Sequence, residues 1–279
     1  MSRVLVISSD CHAGALPDGY KPFMDKEFHA DAEKWWLTYS REMMARMGTF
    51  FDQEAADQFA DQVDNEGSGK FQQDAMQGAL QASDDQLRDF LADPDSIIAP
   101  RHGEYDAAIR LKELEGDGIA GEVVFPQMAP FGAGLMMYRH DVTPAQRRAG
   151  NRAYNRFLAD MCGSNPGRHA GVIVIDVDDI PETIREIREC HSMGLFGGIL
   201  LPASTGENPY YHHYDRYAPL WNVCEELNLP VHTHSGWTPD YGDSPAATPM
   251  FISEVDMWAQ RPFTALLWSG TFEKHPNLK

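Results

Sequence analysis

Short apolar runs alternate with longer segments of helical periodicity along most of the chain. The apolar runs predict five β-strands, at about residues 4–9, 122–126, 170–177, 197–203 and 230–235. Between the later strands, apolar residues recur with the spacing of one helix face, as at Tyr217, Leu220, Trp221, Cys224 and Leu227. Short apolar strands that are each followed by a helix are typical of a parallel sheet buried on both faces.

The helix boundaries carry their own signals. The segment from Thr143 to Gln146 is a capping box with Pro144 at the first helical position, so a helix is predicted to begin there. A further helix is predicted at about residues 261–275, and residues 276–279 indicate the approach to a sixth strand.

A parallel sheet covered by helices occurs in two common folds. These are the doubly wound sheet and the TIM (β/α)8 barrel. The first strand is not followed by a GxGxxG turn, which disfavours a dinucleotide-binding doubly wound sheet. Polar residues instead follow the carboxyl ends of the strands, where a barrel carries its chemistry. The α/β pattern therefore predicts a TIM barrel that is truncated after about five strands, because eight are needed for closure. An unusual open sheet is the alternative.

Residues 17–95 have a different composition from the rest of the chain. They are acidic, rich in Met, Gln, Ala and aromatic residues, and poor in β-branched residues. We expect them to form a helical insertion after the first strand, within a single domain that spans residues 1–279. Such an insertion would serve as a lid or as a dimer surface.

The overall charge narrows the choice of partners. The net charge is −19, from 42 acidic and 23 basic residues, which argues against nucleic acids and anionic membranes. No apolar run approaches the roughly 20 residues of a membrane helix, and the N-terminus lacks the apolar core of a signal peptide. The four cysteines form no CxxC pair. These features predict a soluble protein of a reducing compartment, the cytoplasm.

The candidate chemistry lies at the ends of the first and fifth strands. In VLVISSDCHAG, Asp10 and His12 are two residues apart and so share one face of the strand. In LPVHTHSG, His232 and His234 have the same relation. A carboxylate and two imidazoles that meet across a barrel mouth form a mixed oxygen and nitrogen set, which suits Zn, Mn or Fe.

The motifs SSDCHAG, LPVHTHSG and GTFEKHPNLK resemble the amidohydrolase-related family of metal-dependent hydrolases. The resemblance is to the branch that includes aminocarboxymuconate-semialdehyde decarboxylase and γ-resorcylate decarboxylase. It covers residues 1–14 and about 101–279, and it leaves out the expected insertion. It implies a metal-dependent enzyme that acts on a small organic substrate.

The resemblance also implies roles for individual residues. Asp10 and His12 fall on two metal-ligand positions, with Asp in place of the first His, and His234 falls on the fifth-strand ligand, four residues after Pro230. The family's acid/base group and a further Asp ligand lie on later strands, beyond Lys279, so the residue that performs the acid/base step is unknown here. The GGILLPA strand has no Lys to bridge two metals, so we expect one divalent ion, with Zn favoured over Mn and Fe.

Three further residues are candidate substrate contacts. His232 is the inward neighbour of His234, with a plain core histidine as the alternative. Gln127 follows the second strand directly. His213 lies on the connection after the fourth strand, where an ordinary surface position is the stronger alternative.

Three functions remain open at this point. Metal-dependent hydrolysis is the main expectation, because it is the reaction that names the family. Non-oxidative decarboxylation is the alternative, and a non-catalytic barrel fragment or binding protein is a further one. The full-length protein is expected to be a homo-oligomer, a dimer.

Overall fold

The computed structural model describes residues 4–50, 81–93, 101–127, 129–132, 142–242, 244 and 246–279, with the backbone alone for 43–50. The described part of residues 17–95 is helical. Residues 51–80 and 94–95 of that segment lie outside the description, and its status as an insertion stays a prediction.

Five parallel strands form a single sheet in the described part of the chain. They are β1 (Val6–Ala13), β2 (Ile119–Pro126), β3 (His169–Val174), β4 (Gly198–Leu200) and β5 (Val231–His232). Each strand pairs with the next one along the chain, as in a (β/α)8 barrel, whereas the strand order of a doubly wound sheet reverses. The barrel-type fold predicted from the sequence is confirmed.

In the described residues, helices lie before, between and after the strands. They are α1 (His29–Phe50), α2 (Asp84–Ala92), α3 (His102–Tyr105), α4 (Ala107–Gly116), α5 (Pro144–Gly163), α6 (Ile180–Ser192), α7 (Tyr214–Leu227), α8 (Ala247–Trp268) and α9 (Thr271–Lys274). Short 3-10 turns lie at Pro17–Phe23, Lys26–Phe28 and Pro130–Gly132. None of the helices in the described residues is long and apolar enough to cross a membrane.

The helix boundaries follow the sequence signals in one case and depart from them in another. At the start of α5 the Thr143 hydroxyl accepts from the Gln146 N–H at 3.2 Å, and the Thr143 N–H donates to the Gln146 side chain at 3.0 Å, as the capping box predicts. The single helix predicted at 261–275 is wrong. Gly270 adopts a left-handed backbone, φ 69°, which separates α8 from α9.

The core has two layers, which correspond to the two faces of the strands. The outer layer packs the sheet against the helices, with Ile173 and Ile199 meeting Trp221 and Tyr154 in one cluster. The inner layer is a smaller cluster of Phe125, Val172 and Leu200, which alternate with the outer residues along β2, β3 and β4. The candidate site lies beside this inner layer.

Candidate metal centre

The first strand contains a β-bulge in the segment that carries the candidate ligands Asp10 and His12. The ladder between β1 and β2 pairs Ser8 with Glu122 and Cys11 with Val124, so one extra residue of β1 is accommodated between them. Cys11 donates to the Ser8 hydroxyl at 3.0 Å. The strand continues to Ala13 and does not end near residue 9 as predicted, because it regains its pairing with β2 after the bulge.

Asp10, His12 and His234 come together, although 222 residues separate the two histidines along the chain. One ligand atom from each lies within 4.8 Å of the other two. The Asp10 Oδ1 atom is 3.4 Å from His12 Nε2 and 3.4 Å from His234 Nε2. The two imidazole rings meet edge to face with centroids 5.2 Å apart. The carboxylate is the exposed member, with 66% of its side chain accessible, against 26% and 18% for the histidines.

Backbone carbonyls orient both imidazoles. The Nδ1 atom of His12 lies 2.9 Å from the Pro126 carbonyl oxygen, and that of His234 lies 2.7 Å from the Ser235 carbonyl oxygen. Because a carbonyl oxygen only accepts, each Nδ1 carries a proton, and in the neutral ring the lone pair then lies on Nε2, where it can bind a metal ion. This is how metal-binding histidines are held in proteins. The three side chains therefore fit one divalent ion and leave coordination positions open for a substrate or further ligands.

His232 lies in the inner layer with its own backbone partner. Its Nε2 atom is 2.7 Å from the Gly197 carbonyl oxygen, and its ring meets Phe125 edge to face at 5.2 Å. A Cβ atom on Gly198 would come within 2.7 Å of the imidazole, so glycine is required there for the ring to fit. The same Phe125 ring is also 5.2 Å from His234. The role of His232 as a substrate contact stays a prediction.

Gln127 and His213 are both exposed. The Gln127 N–H donates to the Ala13 carbonyl at 2.8 Å, so Gln127 directly follows the paired ends of β1 and β2. His213 precedes α7, and its ring lies 4.4 Å from the ring of His212. Their proposed contacts with a substrate also stay predictions.

A buried charged cluster lies behind the site, and the sequence analysis missed it. Arg110 on α4 binds the Glu122 carboxylate on β2 through two hydrogen bonds, of 2.5 and 2.8 Å. His169, the first residue of β3, binds the same carboxylate through Nδ1 at 2.6 Å. A charged Glu in the otherwise apolar stretch EVVFP was the available signal, because a buried carboxylate requires a cationic partner.

The hydrogen bonds in this cluster keep Glu122 ionised. Burial alone raises the pKa of its carboxyl, but the hydrogen bonds from His169 and Arg110 outweigh that effect and lower the pKa to about 2. Since an ionised carboxylate only accepts, His169 Nδ1 donates to it. The cluster thus joins an arginine, a carboxylate and a histidine donor by hydrogen bonds.

Comparison with known proteins identifies the class. The family model for amidohydrolases, Amidohydro_2, matches residues 105–279, more than half of the chain. The chain belongs to the amidohydrolase family.

Among curated proteins, the chain is similar to γ-resorcylate decarboxylase of Rhodococcus jostii, strain RHA1. The two are 27% identical over an alignment of 146 positions, which covers 46% of this chain and 42% of the relative. The chain thus spans less than half the length of the curated relative that it matches.

Solved structures share the fold. An amidohydrolase from Mycobacterium avium subsp. paratuberculosis has a TM-score of 0.61 at 14% identity, over 100% of this chain and 72% of the other. The 5-carboxyvanillate decarboxylase of Novosphingobium aromaticivorans has a TM-score of 0.53 at 19% identity, over 99% and 64% respectively. The latter structure contains manganese and 3-methoxy-4-hydroxy-5-nitrobenzoic acid. At these identities the likeness establishes the fold alone.

Proposed function

We propose that this chain carries the metal-binding part of a metal-dependent decarboxylase that acts on a small hydroxylated aromatic acid. The observation that carries the proposal is the convergence of Asp10, His12 and His234, with both Nε2 atoms facing the Asp10 carboxylate while each Nδ1 has a backbone partner. The curated relative, a decarboxylase, favours loss of CO₂ over hydrolysis. The expectation that hydrolysis is the main reaction is therefore the less well supported of the two.

The three ligand side chains would divide the work between them. His12 and His234 are partly buried and oriented by carbonyls, so they define the position of the ion. Asp10 is exposed, and its carboxylate would lower the net charge of the site with a divalent ion bound. A bound ion would supply Lewis-acid stabilisation of negative charge on the phenolic and carboxylate oxygens of a substrate. The manganese in the decarboxylase structure supports a divalent ion, and our preference for zinc remains a prediction.

The surrounding residues would control solvent and orientation. Phe125 lies against His12, His232 and His234, at ring distances of 6.3, 5.2 and 5.2 Å, and presents an apolar wall beside the ligands. An apolar wall favours an aromatic ring over bulk water. Decarboxylation breaks the bond between ring carbon and carboxylate carbon, releases CO₂ and returns a proton to the ring carbon. We expect the residue that delivers this proton to come from the later strands of the family fold.

Two other functions stay as candidates. Hydrolysis is favoured by the family's name, and the same three ligands would serve to activate a water molecule. A non-catalytic binding protein is the third, and it predicts that the site holds no metal.

The experiment that tests the proposal is an assay of the complete gene product loaded with Mn²⁺ or Zn²⁺. CO₂ release is measured with γ-resorcylate and 5-carboxyvanillate, and in parallel the hydrolysis of a panel of aryl amides and lactones. Release of CO₂ that is abolished in Asp10→Ala supports decarboxylation. Hydrolysis without CO₂ release would overturn it in favour of the second candidate. Neither reaction, together with no bound metal, would favour the binding protein.

A further inference from the structure

We propose that Arg110 is a positioning residue for the metal site, because its guanidinium joins the buried Glu122 carboxylate to the backbone carbonyl of His12. The inference rests on the proposed metal site, and it is independent of which reaction that site performs.

The first step is that the guanidinium is fixed in place. Arg110 is 7% exposed and Glu122 is 1% exposed in their side chains, so neither is free to reorient into solvent. Arg110 uses Nε and one terminal nitrogen for the carboxylate, in the two-pronged geometry that only arginine provides. His169 holds the same carboxylate from β3. The acceptor is thus tied to two strands of the sheet.

The second step concerns the terminal nitrogen of Arg110 that does not bind Glu122. The other terminal nitrogen of Arg110 donates to the His12 carbonyl oxygen at 2.9 Å and to the Gly103 carbonyl oxygen at 3.0 Å. Two of the three guanidinium nitrogens therefore define the orientation of the group, and the third contacts the backbone of a candidate metal ligand. A side chain with a single cationic nitrogen cannot make both sets of contacts.

The third step is the state of the backbone at that point. The bulge between Ser8 and Cys11 interrupts the regular ladder just before His12. A bulged strand bends locally and is less constrained by its neighbour. The ladder with β2 resumes at Cys11, and the bond from Arg110 to the His12 carbonyl adds a further fixed contact at the next residue. Together with the bond from His12 Nδ1 to the Pro126 carbonyl, it holds both the backbone and the ring of His12.

The consequence is a specific effect on metal binding. Loss of groups that orient metal ligands typically weakens metal affinity by about 10–100-fold. If Arg110 served only to stabilise the fold, its replacement would lower the stability and leave the affinity of the folded protein unchanged.

The test compares Arg110→Lys and Arg110→Met with Arg152→Met in the complete gene product. Arg152 also pairs with a buried carboxylate, Glu186 at 2.8 Å, and with Glu182 at 2.7 Å, but it joins α5 to α6 and contacts none of the three candidate ligands. Each variant is titrated with Mn²⁺ alone by calorimetry, below its own melting temperature. The visible absorption spectrum of the Co²⁺-loaded protein reports the ligand geometry.

We expect the Mn²⁺ dissociation constant to rise by about 10-fold or more in both Arg110 variants, with an altered Co²⁺ spectrum, while Arg152→Met retains the wild-type values. Wild-type affinity and spectrum in Arg110→Lys would overturn the proposal, and so would an equal loss in Arg152→Met. If Arg110→Met does not fold, Arg110→Lys decides alone. Absence of Mn²⁺ binding in the wild type would overturn this inference and the metal site together. Absence of decarboxylation with metal binding intact would affect only the proposed reaction.

Discussion

Two carboxylates lie on or beside β1, and they are held in opposite ways. Asp10 is 66% exposed, and its described neighbours are two imidazole nitrogens at 3.4 Å, beyond good hydrogen-bond length. Glu122, on the adjacent strand, is 1% exposed and accepts three hydrogen bonds of 2.5 to 2.8 Å from Arg110 and His169. The first has unused acceptor capacity, whereas that of the second is largely used.

The difference in burial and hydrogen bonding between Asp10 and Glu122 separates a carboxylate that stabilises the fold from one that is available for binding. A buried carboxylate costs stability unless donors surround it, so a filled set of donors indicates a structural role. An exposed carboxylate beside two imidazoles with free lone pairs gains nothing comparable for the fold. Under the function proposed above, the three groups would share an ion, and that would account for the arrangement.

Among the substitutions that distinguish the exposed site from the buried cluster, the largest effect is expected on metal binding. Asp10→Ala or His234→Ala should each weaken Mn²⁺ binding by roughly 100-fold or more, because each removes one of three protein ligands. Asp10→Ala should not lower the melting temperature of the metal-free protein appreciably, since Asp10 is mostly exposed. Calorimetric titration and thermal unfolding measure the two effects separately.

The matched control for this change is Asp18→Ala. The Asp18 side chain is 70% exposed and pairs with Lys21 at 2.8 Å. The Asp18→Ala variant therefore loses a surface carboxylate of comparable exposure that is not part of the candidate metal site. Metal affinity should be unchanged. Retention of wild-type affinity in both Asp10→Ala and His234→Ala would remove the ligand assignment.

The next largest effect is expected on stability and not on metal binding, and it concerns the buried carboxylate, Glu122. Glu122→Gln should lower the free energy of unfolding by about 3 kcal/mol, because it leaves Arg110 buried without its counter-charge. Urea unfolding at neutral pH, monitored by circular dichroism, measures the change. A loss below about 1 kcal/mol, the value typical of a surface pair, would show that the cluster is not the structural element we describe.

The pH dependence of stability sharpens the same comparison. In the folded state the pKa of Glu122 lies at about 2, below its ordinary value of 4.5, so the unfolded chain takes up the proton first as the pH falls. The stabilisation is fully present above about pH 4.5 and is lost as the pH falls towards 2, and it amounts to about 3 kcal/mol. Glu122→Gln should therefore make the unfolding free energy fall less steeply in this range.

Glu186 provides the opposite case as a control. Burial raises the pKa of its carboxyl, and the contacts with Arg152 do not fully offset the burial. The folded state then takes up the proton first, which adds stability as the pH falls. Glu186→Gln should remove that gain and make the acid loss steeper. Equal slopes in the two variants would contradict the difference in their environments.

The convergence of the three candidate ligands could be predicted from the sequence for a clear physical reason. Residues two apart on a strand share a face, and the carboxyl ends of parallel strands meet at one edge, so Asp10, His12 and His234 converge without knowledge of the loops. The length of the last strand could not be predicted in this way. The run at 230–235 pairs with β4 only at Val231 and His232, and beyond them the His234 imidazole contacts the carbonyl of its own neighbour, Ser235.

The bulge in β1 and the buried cluster of Arg110, Glu122 and His169 could not be predicted from the sequence, for a different reason. Periodicity states that residues alternate between two faces, but an extra residue in one strand becomes visible only against its partner, here between Ser8 and Cys11. The pairing of Arg110 with Glu122 depends on how α4 packs on the sheet. The charged residue inside an apolar strand indicated that some partner was needed without identifying it.

The smallest expected effect comes from an ion pair that resembles the buried one in geometry but lies in solvent. Arg188 on α6 and Glu226 on α7 form two parallel hydrogen bonds of 2.6 Å, and their side chains are 46% and 57% exposed. Glu226→Gln should leave both the melting temperature and the Mn²⁺ affinity within experimental error, because water and salt screen such a pair. Thermal unfolding at low and high salt measures it. A loss as large as that of Glu122→Gln would mean that two-pronged geometry, and not burial, gives the cluster behind β1 its effect.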